Sequence, residues 1–158
     1  ETYSNKLNSI FEEESRGWTQ EIKSWDKDLS KNGRVIEMLS ENTLVGMMMG
    51  YILTGRHAFF ASYEAFVQVV VSMVDQYLKF LRVAQEVNWR GDVGGFNIIL
   101  TSPGWLQEHN GYSHQNPGFI DDMLIRNSNL VDIYFPIDAV ATGFALEAMC
   151  RSRRKMNI

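Results

Sequence analysis

Short apolar runs that alternate with helically periodic stretches constrain this chain more than any other feature. The runs fall at residues 35–39, 57–60, 96–100 and 131–135. The segment 96–100, Phe-Asn-Ile-Ile-Leu, follows Gly94-Gly95 and reads as a buried strand. The run 35–39 carries Glu37 inside it and also reads as a short buried strand. The brief run 57–60 and the run 131–135 complete the set, and Pro136 ends the latter.

Between these runs the period changes. Ser40 suits the N-cap of a helix over 42–53, which Gly55 ends. Ser62 suits the cap of a long helix over about 63–87. Its inner face would carry Val67, Val70, Val71, Val74, Leu78 and Leu81. A short helix is predicted over 119–125, and Asp138 caps a last one over 139–152. Met156-Asn157-Ile158 looks like the start of a further strand. Strands alternating with helices predict a three-layer α/β/α sandwich with a mostly parallel sheet. One domain over 1–158 is expected, with a helical lead-in over 1–30. Leu7, Ile10, Phe11, Trp18, Ile22 and Trp25 supply the lead-in's periodicity, as one helix or two around Gly17. With no initiating Met and a strand beginning at its end, the chain reads as excised from something longer.

Charge and cysteine content narrow the function. A formal charge of -4 removes bulk attraction to nucleic acid. The cluster Arg151-Ser-Arg153-Arg154-Lys155 reads as a solvated helix end, where cations suit the dipole. Cys150 is the single cysteine, which excludes a disulfide framework and fits a reduced, cytoplasmic setting. No run approaches the roughly 18–20 apolar residues of a membrane span, so no membrane partner is expected. Met47, Met48 and Met49 read as packing residues.

The polar segment 101–118 holds two of the three histidines and lies just beyond the strand 96–100. Open α/β sheets place ligand chemistry at such strand ends. His109 and His114 stand five apart, without a third ligand nearby or helical spacing, which disfavours zinc. No Gly-x-Ser-x-Gly elbow occurs. Acid–base work or anion binding by imidazole, with Asn110 and Gln107 nearby, suits the segment; a turn and capping role is the alternative. His57 reads as a turn or strand-edge residue. Glu41 follows a strand and opens a helix, so it is either a dipole-favoured first-turn acid or a carboxylate held at the sheet edge. Tyr63 and Phe66 are either core residues or a wall for a flat heterocycle. Gly91-Asp-Val-Gly94-Gly95 precedes a strand, so it is not a dinucleotide fingerprint.

Several of these blocks occur together in a known order. They are Glu37-Met-Leu-Ser40-Glu41, Leu53-Thr-Gly-Arg56-His57, Ser62-Tyr63-Glu-Ala-Phe66 and Gln107-Glu-His109-Asn110-Gly-Tyr-Ser-His114-Gln-Asn-Pro-Gly118. With Tyr134-Phe-Pro136-Ile-Asp138 and Glu1-Thr-Tyr-Ser4-Asn-Lys6-Leu7, they resemble the xylulose-5-phosphate/fructose-6-phosphate phosphoketolases. The resemblance implies the central, pyrimidine-binding domain of a thiamine-diphosphate enzyme. Such enzymes use thiamine diphosphate and Mg²⁺, and cleave xylulose 5-phosphate or fructose 6-phosphate with inorganic phosphate. The products are acetyl phosphate, an aldose phosphate and water. The diphosphate- and Mg²⁺-gripping motif is absent from this sequence, so the fragment is expected to be inactive alone. A homodimer or higher homo-oligomer of the full-length enzyme is implied.

The resemblance also implies roles for individual residues. Glu41 is placed like the glutamate that hydrogen-bonds the aminopyrimidine and favours the imino tautomer, which removes the thiazolium C2 proton. Phe66 is similar to the aromatic packed on the pyrimidine, and Tyr63 to a tyrosine lining the same pocket. His114 and Gln107 resemble the group that handles protons as the bound intermediate loses water. His109 and Asn110 resemble substrate contacts, and Ser4 and Lys6 a pair that holds the substrate phosphate. The basic member of that pair is commonly arginine; Lys6 keeps the charge but loses the bidentate fork. Asn42 stands where His often follows the glutamate. Gln85 stands where a second phosphate-binding arginine is often found before a Trp-Arg pair, here Trp89-Arg90, with Arg82 one turn earlier. The alternatives are a transketolase-like transferase domain and a non-catalytic binding module with the same fold.

Overall fold

A computed structural model describes residues 16–17, 24–25, 29–30, 34–101, 116–126 and 129–158. The chain packs as two compact units, Glu1–Leu39 and Ser40–Ile158.

In the first unit, β1 (Arg16–Gly17) pairs in parallel with β2 (Leu29–Ser30). At these positions the chain is extended, and the rest of the expected helical lead-in over 1–30, apart from a turn at 24–25, lies outside the described residues. The run 35–39 is not a strand. Val35 makes an isolated bridge, and Ile36, Met38 and Leu39 are exposed. A strand needs a neighbour to take up its backbone groups, and the described sheets give this run none beyond that bridge.

The second unit begins with α1 (Glu41–Leu53). The Ser40 hydroxyl accepts from Thr43 N at 3.3 Å, as its N-cap reading requires. Gly55 ends the helix with φ +85°, a conformation that favours glycine, and donates its N–H to Ile52 O at 2.9 Å. Val45, Met48 and Ile52 face the core; Met49 packs against it from partial burial, while Met47 is exposed. Next comes β3 (Ala58–Ser62), shifted toward the C-terminus of the expected strand. Its register sets Ala61 and Ser62 beside Ile99 and Leu100, and leaves the polar Arg56-His57 outside.

The long helix expected over 63–87 is broken. It is α2 (Glu64–Val67), a 3₁₀ turn (Gln68–Val70) and α3 (Val71–Gln85). Val67, Val69, Val70 and Val71 crowd this point, and β-branched side chains favour the α-helix least where they cluster. A 3₁₀ turn brings i and i+3 into line, so Val67 and Val70 both become fully buried. The N-cap position is Tyr63, without a side-chain cap bond, rather than Ser62. Ser62 instead closes β3, and its carbonyl accepts from Thr101 N at 3.0 Å.

The expected strand 96–100 is β4 (Phe96–Leu100). α4 (Gly118–Ile125), β5 (Val131–Asp132), α5 (Ala139–Arg151) and β6 (Met156–Asn157) follow. The sheet runs β3-β4-β6-β5, and every pairing in it is parallel. β5 is shorter than expected, yet Tyr134 N still donates to Ile158 O at 2.8 Å, so extended pairing continues past its formal end. Asp138 caps α5, its Oδ1 accepting from Ala141 N at 2.7 Å. At the other end Arg153 donates to the carbonyls of Cys150, Arg151 and Ser152, the helix-end role expected of the basic cluster.

The core lies between the sheet and the helices α1, α3 and α4. Val74, Leu78 and Leu81 of α3 meet Phe96 and Ile98 of β4 and Phe119 and Met123 of α4. Burying each such side chain contributes about 1.5–3 kcal/mol. The middle of the sheet, where β4 meets β6, carries a buried polar cluster. Asn157 Nδ2 donates to Asn97 Oδ1 at 2.7 Å and to Ser152 Oγ at 2.6 Å, and Asn97 Nδ2 donates to Ala58 O at 3.1 Å. Both asparagines are fully buried.

Candidate functional site

An all-parallel sheet carries its strand ends on one edge, where successive chains turn away into helices. In this sheet that edge is formed by Ser62, Leu100, Asp132 and Asn157. Tyr63 follows Ser62 directly. Its ring stacks on Phe66 with centroids 5.8 Å apart and planes 12° apart. Three residues of separation across one helical turn put both rings on one side of α2, and both are half-buried. Neither ring belongs to the core cluster.

Glu41 is the first residue of α1 and is also half-buried. Its carboxylate lies where the exposed N–H groups of the helix concentrate positive potential. It belongs to a different helix from the ring stack but to the same compact unit. Ser4, Lys6, Gln107, His109, Asn110 and His114 lie outside the described residues.

The chain that carries those loop candidates leaves β4 at Thr101 and is described again from Asn116. Asn116 Oδ1 accepts from Gly118 N at 3.2 Å, and Glu64 Oε1 accepts from Ile120 N at 3.3 Å. Glu64 is only 2 % exposed, although it is a carboxylate. Gln68, one turn on, donates Nε2 to Asp122 Oδ2 at 2.7 Å. That bond, followed by Arg126, holds the Asp122 carboxyl below its ordinary value near 3.8. Sequence reasoning missed Glu64 and Gln68. The available signal was the heptad-like row 64-67-71-74-78-81, which sets Glu64 on the same stripe as the inner valines and leucines.

Among the described residues, the groups that could meet a heterocyclic cofactor are the stacked Tyr63–Phe66 pair and the first-turn carboxylate of Glu41. Among them, no group of three His, Cys, Asp or Glu side chains could hold a metal ion. No helix among them is long and apolar enough to cross a membrane.

Comparison with known proteins adds an independent line. Residues 1–152 match the family model described as D-xylulose 5-phosphate/D-fructose 6-phosphate phosphoketolase. The chain is 45% identical to a probable phosphoketolase of Thermosynechococcus vestitus, 44% to one of Synechocystis and 42% to one of Streptomyces avermitilis. Each match covers 100% of this chain but 20% of the relative. The chain thus spans about a fifth of the length of the curated relatives it matches.

Proposed function

Because the chain belongs to the D-xylulose 5-phosphate/D-fructose 6-phosphate phosphoketolase family, we propose that it is the pyrimidine-binding portion of a thiamine-diphosphate-dependent carbon–carbon lyase. The full-length enzyme would cleave xylulose 5-phosphate or fructose 6-phosphate with inorganic phosphate, giving acetyl phosphate, an aldose phosphate and water. Thiamine diphosphate, when bound, supplies the electron sink for breaking the bond beside the ketose carbonyl.

The observation that carries this reading is the stacked Tyr63–Phe66 pair directly beyond the end of β3. Phe66 offers a flat apolar face to an aminopyrimidine ring. Tyr63 lines the same pocket near the reacting carbon. Glu41 would hydrogen-bond the aminopyrimidine ring of the bound cofactor, a contact that would favour its reactive tautomer. His114 and Gln107 move protons while water is lost, and His109 and Asn110 orient the sugar. Ser4 and Lys6 hold its phosphate, with Lys6 acting as a point charge.

Mg²⁺ and the diphosphate belong to residues beyond this fragment, which is inactive by itself. The working protein is a cytoplasmic homodimer or larger homo-oligomer. The test is Glu41→Gln in the full-length enzyme, with acetyl phosphate assayed as its hydroxamate. Activity should fall at least about a hundredfold. Near-normal activity removes the role of Glu41. A wild-type enzyme whose turnover ignores inorganic phosphate removes the phosphoketolase reading in favour of a transketolase-like one.

A further inference from the structure

We propose that the outward side of α5, together with Phe135 and Ile137 ahead of it, is an interface within the full-length polypeptide, covered by the stretch of chain that follows Ile158. α5 is apolar nearly all round, with Glu147 and Arg151 as its only charged residues. A helix of that composition is one that other elements bury. Yet Met149 is its single buried residue, and no residue of α5 belongs to the core cluster. Val140 and Phe144, four apart, share one face and are each 68 % exposed. Ile137 and Phe135, leading into the helix, are 92 % and 73 % exposed. A Cβ at Gly143, on the same side, would meet nothing within 4 Å, so a second backbone can come close there. The face ends in the exposed Arg151–Glu147 ion pair. Single exposed apolar residues are ordinary, whereas a continuous stripe with a charged rim has the anatomy of an interface.

Two observations select the occupant. The chain spans 20% of each curated relative it matches, so most of the full-length polypeptide lies outside it. The second is the exit point. Tyr134 N donates to Ile158 O at 2.8 Å, which brings β6 to the sheet edge beside the exposed Phe135. β6 runs parallel to β5, so residues beyond Ile158 advance alongside Phe135 and Ile137, toward the start of α5. A segment delivered there is tethered, at an effective concentration of about millimolar. A second copy must reach the same face from free solution and lose its translational and rotational freedom. The segment that fits is apolar on one side, with polar groups to meet Glu147 and Arg151. None of the cofactor roles proposed above enters, only the length of the relatives.

Photochemical cross-linking in the full-length enzyme tests this. Phe144→p-benzoylphenylalanine should, on irradiation, cross-link within its own chain, to a peptide C-terminal to Ile158, and the product should run at monomer mass. A dimer-mass product assigns the face to a second copy. A cross-link to a peptide preceding Glu1 assigns it to another part of the chain, and the absence of any cross-link leaves it to solvent. Each of these three results overturns the proposal. Hydroxyl-radical footprinting of the unsubstituted enzyme removes any effect of the bulky ketone on packing. Phe135 and Phe144 should oxidise as slowly as Phe119, which is fully buried, and should do so at every enzyme concentration. Oxidation at the rate of a solvated phenylalanine, or protection that disappears on dilution, overturns the proposal as well.

Discussion

Arg126 grips Asp75 with two nitrogens, Nε to Oδ1 at 2.7 Å and Nη2 to Oδ2 at 2.9 Å. This fork joins the end of α4 to the first turns of α3 across a gap of 51 residues in sequence. The Asp75 hydrogen bonds, then those of Asp122, push the Arg126 guanidinium still further above its ordinary value. Both partners are partly shielded from solvent, and the two-pronged geometry holds each side chain once for two bonds.

Replacing Asp75 with Ala should therefore lower stability by about 1–2 kcal/mol. Arg151→Ala, which breaks the exposed Arg151–Glu147 pair, should cost less than about 0.5 kcal/mol. Urea denaturation of the two variants, compared by midpoint at unchanged slope, distinguishes them. Equal losses would assign the Asp75 bond no special weight.

Asp122 gives a pH dependence of known sign. Its folded pKa is lowered, so the stability it contributes is present above about pH 4 and is lost as pH falls through the lowered value. Asp122→Asn should flatten the acid limb of the stability curve below about pH 4 and leave its neutral part less affected. Denaturation midpoints measured from pH 6 down to acid unfolding provide the check.

Tyr77 has the opposite sign. Burial raises its hydroxyl from 10.0 to about 12, with nearby Arg90 pulling it down. The hydroxyl is buried with no hydrogen-bond partner among the described residues, and the ring packs with its centroid 4.9 Å from that of Phe96 and 5.7 Å from that of Phe80. Its stability contribution is complete below pH 10 and falls as pH rises toward 12. Tyr77→Phe should be neutral to about 1 kcal/mol stabilising at pH 7, because it deletes an unsatisfied group. At pH 11 the variant should be clearly the more stable of the two.

Gly95 has no room for a side chain. A Cβ there would press on Ser152 Oγ and stand 2.7 Å from Asn157 Nδ2 and 3.0 Å from Asn97 Oδ1. Gly95→Ala should cost about 1–3 kcal/mol. Adding Ser152→Gly removes the nearest atom and should recover part of that loss in a double-mutant cycle. Strict additivity would show that the clash relaxes elsewhere.

Phe66→Ala in the full-length enzyme should weaken thiamine diphosphate binding by about 1–2 kcal/mol, roughly tenfold, through loss of the apolar face. Titration of cofactor-dependent tryptophan fluorescence measures it. An unchanged affinity would return the Tyr63–Phe66 stack to a packing role.

Much of this architecture was readable from periodicity. The strand 96–100, the caps Ser40 and Asp138, and the helices they open are local features, and local chemistry decides them. The run 35–39 failed because a strand is defined by its neighbour, and apolar content does not reveal whether one exists. The 63–87 helix failed where valines cluster, since burying Val67 and Val70 together outweighed an even helical pitch. The Tyr63–Phe66 pairing was legible from spacing. Glu64 was not, because its partner is a backbone N–H 56 residues away, which no side-chain motif announces. The loop imidazoles and the Ser4–Lys6 pair lie outside the described residues and rest on sequence resemblance.

The strand order β3-β4-β6-β5 has a consequence for how the protein is made. β6 lies between β4 and β5 but follows both in sequence. While a ribosome is still extending the chain past residue 155, β4 and β5 present bare edges with unsatisfied backbone groups. Asn97 meanwhile waits for an amide that has not yet been synthesised. The nascent sheet thus stays open at its centre until Met156 and Asn157 arrive and wedge it shut. Early chain release or a stall shortly before that point would expose a sticky, half-built product to aggregation.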